Sequence, residues 1–598
     1  MFFFNLGSKN LWNYINMTEI MINKLSILNC TLLSTRIQNS LVMEIHEYTW
    51  IFAVGMIVAF ADAFGIGAND VANSFATSVS SGSLTLLQAC IVACFTEFLG
   101  AVLLGAETAE TIKGGILAID HYIEQPEMLM LAMFCALCGS ATWVLTASRF
   151  GWPVSTTHSV VGAIIGVGIA SFGASSITWG YDGVAKIITS WFISPFAAGV
   201  VAAIIYMITK YAILRRVESF KWGIRLVPIY FFFTAGIEAF YIIYKAPGGG
   251  SKNMSIGVIV GIAIGVAAAC AAFGQFFFCP WVVRKIKGRE NLKLYHMFYI
   301  PFVKTQPTIE EATQTEDRVN SRPSSIRSGT HIDDEAAVDN EMLTPGEVDE
   351  KLKKLNSDAQ VTQNESVVSA ADIPENKGNW FTSKFTEFKV KAVTFAMNGL
   401  RQDVRNLDNK KLTHVHANAE LFEDDAEYLF SFLQVITACM ASFAHGSNDV
   451  SNAVGPISSI FEVWNTGQVD VAGKVPIPIW ILVYGGIGID FGLALMGYRV
   501  MRAMGNNITY FTPSRGFCAE LSAALTVLTC SQIGLPVSTT HCITGASAAI
   551  GLCNTKGWKA VNWKMLAWCW CSWFLTLPAA GLVAGLLFAI LANSPKFI

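Results

Sequence analysis

The chain has 598 residues, 53% of them hydrophobic and only 14% charged, with a formal net charge of −3. Soluble globular chains carry about a quarter charged residues, so this composition, with a mean hydropathy of +0.46, assigns the chain to the lipid bilayer. The net charge excludes the basic field that nucleic-acid binding requires. The 14 cysteines lie mostly inside apolar runs, where they act as small hydrophobes. Cys135 and Cys138 form a single CxxC in mid-helix context, which reads as helix packing.

Residues 1–46 carry no signal-peptide cleavage pattern and no span-length apolar run, and are expected to form an N-terminal tail. Asn16 and Asn29 in it lie in N-x-T sequons, which matter only on an outer face. A span needs roughly 20 mostly apolar residues. The first membrane half, 47–283, holds such segments near 48–66, 84–106, 127–147, 154–173, 184–208, 225–244 and 256–283. The second, 428–598, holds them near 428–446, 479–497, 516–533, 536–552 and 562–592. The fold class expected is an all-α integral membrane protein of about twelve segments. Those at 154–173 and 536–552 are rich in glycine and begin with Pro-x-Ser, which suits broken or re-entrant helices.

Residues 284–427 form a large loop between the halves. Within it, 305–378 is rich in Glu, Asp, Thr, Ser, Asn and Pro and poor in aromatics. Such a stretch cannot bury enough apolar surface to offset its ordering entropy, so disorder is expected. One set of loops holds Arg149, Lys210, Arg215, Arg216, Lys221, Arg284, Lys285, Lys287, Arg289, Arg499, Arg502, Arg515, Lys556, Lys559 and Lys564; the alternate loops hold only Lys113, Lys245, Lys252 and Lys474. The excess marks the cytoplasmic side. The large loop is then inside, both termini are outside, and Asn253, in the sequon NMS, faces outward.

Two motifs recur in the same order. GANDVANSFA begins at Gly67 and GSNDVSNAVG at Gly446, 379 residues apart. FCALCGSATWVLTASRFGWPVSTTH begins at Phe134 and FCAELSAALTVLTCSQIGLPVSTTH at Phe517, 383 residues apart. This coincidence of order and spacing marks a duplication. The second leading helix stands seven expected spans after the first, and an odd step turns the second copy upside down. Inverted repeats belong to transporters, with the binding site near the midplane between the copies.

In N-D-x-x-N, Asn69, Asp70 and Asn73 form one copy and Asn448, Asp449 and Asn452 the other. Helical spacing puts these amides and the carboxylate side by side, a hard-oxygen set suited to sodium. An aspartate inside the membrane costs about 2.5–3.5 kcal/mol on insertion scales, a cost met here in both copies. A helix-capping aspartate at the membrane interface is the bland alternative. In P-V-S-T-T-H, Ser155, Thr156 and Thr157 match Ser538, Thr539 and Thr540. Proline and serine suit a helix start, and a helix N-terminus points free amides at an anion. Hydroxyls beside those amides give donors for an oxyanion, and His158 and His541 follow them. Glu97 and Glu520 are acids inside apolar runs and are candidates for cation coupling. Asp490 is a looser counterpart of Glu97. Asp62, Asp182 and Glu238 lie nearer span ends, where a solvated position is expected.

These motifs resemble the inorganic phosphate transporter family, the type III sodium-dependent phosphate transporters. The resemblance rests on GANDVANSFATSVSSG, PVSTTHSVVGAIIG, AHGSNDVSNAVGP and PVSTTHCITGASAAIG, with HANAELFEDDAEYLFSFLQV before the second half. It covers residues 48–290 and 412–592. It implies sodium–phosphate symport at the plasma membrane, twelve spans and a homodimer, with no cofactor beyond the co-transported sodium ion. It also implies phosphate between the two P-x-S-x-T-H helix starts and sodium at the N-D motifs, with Asp70 and Asp449 serving both. The chain departs from relatives that often carry a glutamate early in the span holding Leu131–Thr142. A proton-coupled carrier, or a carrier of another oxyanion, is the alternative within this class. An intramembrane hydrolase using Ser155 and His158 lacks an oxyanion loop and a third partner. A passive scaffold leaves the duplicated polar motifs without a role.

Overall fold

In a computed structural model of the chain, the described residues are 43–244, 254–305, 412–470, 476–533 and 535–594. They belong to one compact unit. The N-terminal tail before residue 43, Asn253 and all but the first residue of the loop expected to be disordered lie outside them.

Each of the twelve expected segments is helical. They are α1 (Thr49–Ser81), α2 (Leu86–Gly114), α3 (Pro126–Phe150), α4 (Thr156–Phe172), α5 (Val184–Leu214), α6 (Ser219–Tyr244) and α7 (Ile256–Ile286). After the loop come α8 (Asp424–Thr466) and α9 (Ile479–Met496), then an unforeseen α10 (Tyr498–Ile508), and α11 (Pro513–Gln532), α12 (Thr539–Leu552) and α13 (Trp563–Ala592). Nine of these, among the described residues, are long and apolar enough to cross a bilayer. The others are α4, α11 and α12, together with the short amphipathic α10. With 17 and 14 residues, α4 and α12 reach only about 26 and 21 Å at 1.5 Å per residue, short of a hydrocarbon core of about 30 Å.

Both short helices begin late for the same reason. Pro153 and Pro536 interrupt the helical pattern, and the chain runs extended to Ser155 and Ser538. Each serine is then the N-cap: Ser155 Oγ accepts from His158 N, and Ser538 Oγ from His541 N, both at 3.3 Å.

The repeats pair α1 with α8, α2 with α9, α3 with α11, α4 with α12 and α5 with α13. Contacts between them are reciprocal, as a two-fold relation requires. Ser572 Oγ of α13 donates to Pro153 O at 3.0 Å, and Ser190 Oγ of α5 to Pro536 O at 3.1 Å. Small residues let the backbones touch. A Cβ on Gly67 would stand 1.8 Å from Ile489 O, and one on Gly446 2.1 Å from Glu97 O. Each repeat's first helix thus lies directly on the other repeat's second helix.

The stretch before α8 ties the C-terminal end of α12 to α5. Lys210 Nζ reaches Cys553 O at 2.9 Å and Glu420 Oε2 at 2.7 Å. Arg215 Nε and Thr555 Oγ1 also donate to Glu420, each at 2.9 Å. The wholly buried Arg515 donates to Asn554 Oδ1 at 2.8 Å and to the Glu420 carbonyl. Partial burial opposes ionisation of Glu420, but the bonds from Arg215, Lys210 and Thr555 outweigh it and hold the carboxyl at about 2. A depressed carboxyl stabilises the fold above its unfolded value and loses that contribution as pH falls through the folded one. Glu420→Gln leaves the buried Lys210 with neutral acceptors alone, and should cost about 3 kcal/mol. Thermal unfolding of the detergent-solubilised protein should show this deficit undiminished at every pH above about 5. A variant as stable as the parent at neutral pH would refute the anchoring role.

Candidate functional site

The two hydroxyl-bearing helix starts face the two N-D motifs, and each motif reaches both repeats. Around Gly67–Val71 helix α1 widens into a π turn, a form often found at functional positions. It carries Asn69 and Asp70. The matching stretch of α8 is continuous α-helix.

Asn69 and Asn448 hold the extended segments before the caps. Asn69 Nδ2 donates to Trp152 O at 2.9 Å and to Ser148 Oγ at 3.2 Å, and its Oδ1 accepts from Val154 N at 3.1 Å. Asn448 Nδ2 donates to Val537 O at 2.7 Å and to Asp449 Oδ1 at 2.6 Å, and its Oδ1 accepts from Ser531 Oγ at 3.3 Å. The asparagines expected to line a cation site therefore brace the P-V-S-T-T-H segments in this structure.

The aspartates take hydroxyls. Asp70 Oδ2 accepts from Thr156 Oγ1 at 2.5 Å and Thr156 N at 3.2 Å. Asp449 Oδ2 accepts from Thr539 Oγ1 at 2.6 Å, the equivalent bond in the second repeat. Asn73 and Asn452 cross between repeats. Asn73 Nδ2 donates to Thr540 Oγ1 at 2.9 Å, and Asn452 Nδ2 to Thr157 Oγ1 at 3.3 Å and Thr156 Oγ1 at 3.1 Å. The two-fold relation breaks at one point. Thr540 Oγ1 also donates to Asp70 Oδ1 at 2.7 Å, whereas Thr157 donates to Val537 O at 3.4 Å. All eight residues are buried.

A third group joins the carboxylates. His445, one turn before Asp449 on α8, brings its Nε2 to 2.7 Å from Asp449 Oδ2 without hydrogen-bond alignment. Its Nδ1 pairs with Glu97 of α2, which also accepts from Ser442 Oγ at 2.8 Å. Asp70, His445 and Asp449 each offer a ligand atom within 4.8 Å of the others. Two carboxylates this close repel unless a cation lies near, and the three groups together offer a place for one. Sequence reasoning passed over His445, although the i, i+4 spacing in AHGSND was the available signal.

Glu520 of α11 stands apart. It accepts from Thr77 Oγ1 at 2.6 Å, Gln434 Nε2 at 2.9 Å, Thr437 Oγ1 at 2.8 Å and Ser78 Oγ. Four donors from α1 and α8 thus close on one carboxylate. His158 and His541 form a crossed pair with ring centroids 4.6 Å apart. His541 Nδ1 lies 3.1 Å from Trp191 O and His158 Nδ1 3.4 Å from Trp573 O, and each ring lies against a tryptophan. They pack behind the hydroxyls and hold α4 and α12 to α13 and α5.

The phosphate transporter family matches residues 66–584. The chain is 36% identical to the phosphate-repressible phosphate permease pho-4 of Neurospora crassa, over 93% of this chain and 99% of that one. It is 31% identical to sodium-dependent phosphate transporter 1 of Mus musculus, over 91% of this chain and 96% of that one. A solved structure, "The sodium-dependent phosphate transporter", superposes with a TM-score of 0.63 at 25% identity, covering 91% of this chain and all of that one.

Glu520→Ala would remove the acceptor from all four donors. Gln434 Nε2, which cannot accept, then loses this partner, at about 1–3 kcal/mol. Thermal unfolding should register that loss. A variant as stable as the parent would mean that the four bonds do not hold α1, α8 and α11 together.

Proposed function

We propose, from the premise that this chain belongs to the phosphate transporter family, that it is a sodium-coupled symporter of inorganic phosphate in the plasma membrane. One observation carries the reading: Asp70 and Asp449 are satisfied by threonine hydroxyls of the P-V-S-T-T-H segments, from both repeats in the case of Asp70. Carboxylates and hydroxyls occupy one another. Sodium ions taken by Asp70 and Asp449, with Asn69, Asn73, Asn448 and Asn452 beside them, free the hydroxyls of Thr156, Thr539 and Thr540. Phosphate then accepts those hydrogens, together with Thr157 and the capping Ser155 and Ser538, at two helix N-termini suited to an anion. Each ligand releases what the other needs, so each raises the other's affinity, and the coupling is reciprocal.

Glu97 and Glu520 lie outside the hydroxyl pairs. They are read as coupling acids that link the N-D helices to α2 and α11. Rocking of one repeat against the other would expose the site alternately to the two sides. The same reading makes the large loop cytoplasmic, both termini extracellular and the protein a homodimer in the bilayer. A proton-coupled carrier of phosphate or another oxyanion is the alternative.

Uptake of labelled phosphate by cells should stop when choline replaces sodium, and undiminished uptake would favour the alternative. Asp70→Asn and Asp449→Asn keep size but remove the charge a cation needs. Each should abolish sodium-driven uptake at normal surface abundance, and uptake above half the parent's in either would sink the sodium role.

Thr157→Val and Thr540→Val remove a donor and keep shape. A lost hydrogen bond costs about 0.5–1.5 kcal/mol, so each should raise the half-saturating phosphate concentration several-fold. Because both serve one ligand, their effects should not simply add. A double variant equal to the sum of the singles would indicate two separate sites.

A further inference from the structure

Helix α1 carries a second carboxylate that the site above does not use. Asp62 precedes Asp70 by eight residues, about 12 Å along a helix. It was expected to be solvated near a span end, yet it is wholly buried. The reason is tertiary: α1 packs against α3, α8 and α9, which close around it.

Neighbours along α1 and α3 advance together. Gly55 lies against Phe134, Gly65 against Val144, and Asn69 against Ser148. Asp62 faces Ser140 in this seam, with Cys138 nearby. Among the described residues, neither oxygen of Asp62 accepts a hydrogen bond, and the buried hydroxyl of Ser140 has no partner either. Ser140 thus stands beside Asp62 from the facing helix, at the margin of hydrogen-bond geometry, and is the one neutral donor set against this carboxylate. An unpaired carboxylate in a low-dielectric seam is costly, and inside a membrane it marks function.

The matching interface in the second repeat, between α8 and α11, sharpens the contrast. There Glu520 is saturated by donors. The two carboxylates are not repeat equivalents: Asp62 stands on the first helix of its repeat, Glu520 on the third. Glu520 is therefore satisfied by four protein donors, whereas Asp62 has one hydroxyl beside it, that of Ser140, outside good hydrogen-bond geometry.

We infer that Asp62 and Ser140 form a further sodium site in the α1–α3 seam, two turns from Asn69 and Ser148. The chemistry is one anionic oxygen donor and one neutral hydroxyl. A divalent ion would call for more carboxylates. The site lies in the seam that ends at the central carboxylates, so an ion here stands one step from them. The inference rests on the sodium-coupled reading above.

The test is the sodium dependence of labelled phosphate uptake at fixed pH, with surface abundance measured in parallel. Asp62→Asn should raise the half-saturating sodium concentration about tenfold, the effect of losing one charged ligand, and make the dependence less steep. Ser140→Ala should move it in the same direction, while Ser140→Thr, which keeps the hydroxyl, should behave as the parent. An unchanged sodium dependence in Asp62→Asn at the surface overturns the proposal. If that variant does not reach the surface, an unchanged Ser140→Ala overturns it. A change in the pH dependence alone assigns a proton to the seam and overturns the sodium assignment. Uptake by the parent that ignores sodium is a different failure, since it removes the symport reading itself and the further site with it.

Discussion

Inside a bilayer a carboxylate has no water to ionise against, so Asp70 and Asp449 must be met by other groups of the protein or by a cation. Much of the centre of the molecule follows from this. The hydroxyls come from helices that start in mid-chain, because only a helix start places a threonine and a free amide together. Thr156 supplies both to Asp70. Those helix starts need extended segments before them, and the extended backbone needs partners of its own. Asn69, Asn448, Ser190 and Ser572 provide them. The glycines that bring Gly67 onto Ile489 and Gly446 onto Glu97 then set how closely the repeats approach.

Near-symmetry is as informative where it breaks. Thr540 joins Asp70, but Thr157 leaves Asp449, and His445 takes its place between Asp449 and Glu97. The position matching His445 in the first repeat is Ile66, so no imidazole stands there. The first repeat has the π turn; the second has straight helix. Two sites with the same N-D motif are therefore chemically distinct, and the one built on Asp70 depends more on hydroxyls from the opposite repeat. An inverted-repeat carrier must adopt two conformations of unequal contacts at any moment, and such differences bias which contacts hold.

At the cytoplasmic end expected from loop charge, the stretch HANAELFEDD takes part in the same architecture. Glu420 and Arg515 fasten Asn554 and Thr555, just past the end of α12 and fourteen and fifteen residues from Thr540. The helix bearing Ser538–Thr540 is thus held at one end by histidine and tryptophan packing and at the other by an ion-pair cluster. Any rearrangement of α12 must carry these partners along or break their bonds to Cys553, Asn554 and Thr555.

The sequence by itself determined the membrane class, the duplication, the short helices and the polar residues repeated in the two copies. Those features follow from local rules: apolar length, proline and serine at helix starts, and motif recurrence at constant spacing. Which atoms meet was settled only by tertiary structure. Asn73 and Thr540 are 467 residues apart, and no local pattern joins them. Burial of Asp62 could not be read either, because a carboxylate near the end of an expected span is solvated unless other helices cover it. Glu97 and Glu520 looked alike in their apolar runs. Packing gave one a histidine and the other four neutral donors, because the partners stand on α8 and α1, far from both glutamates along the chain.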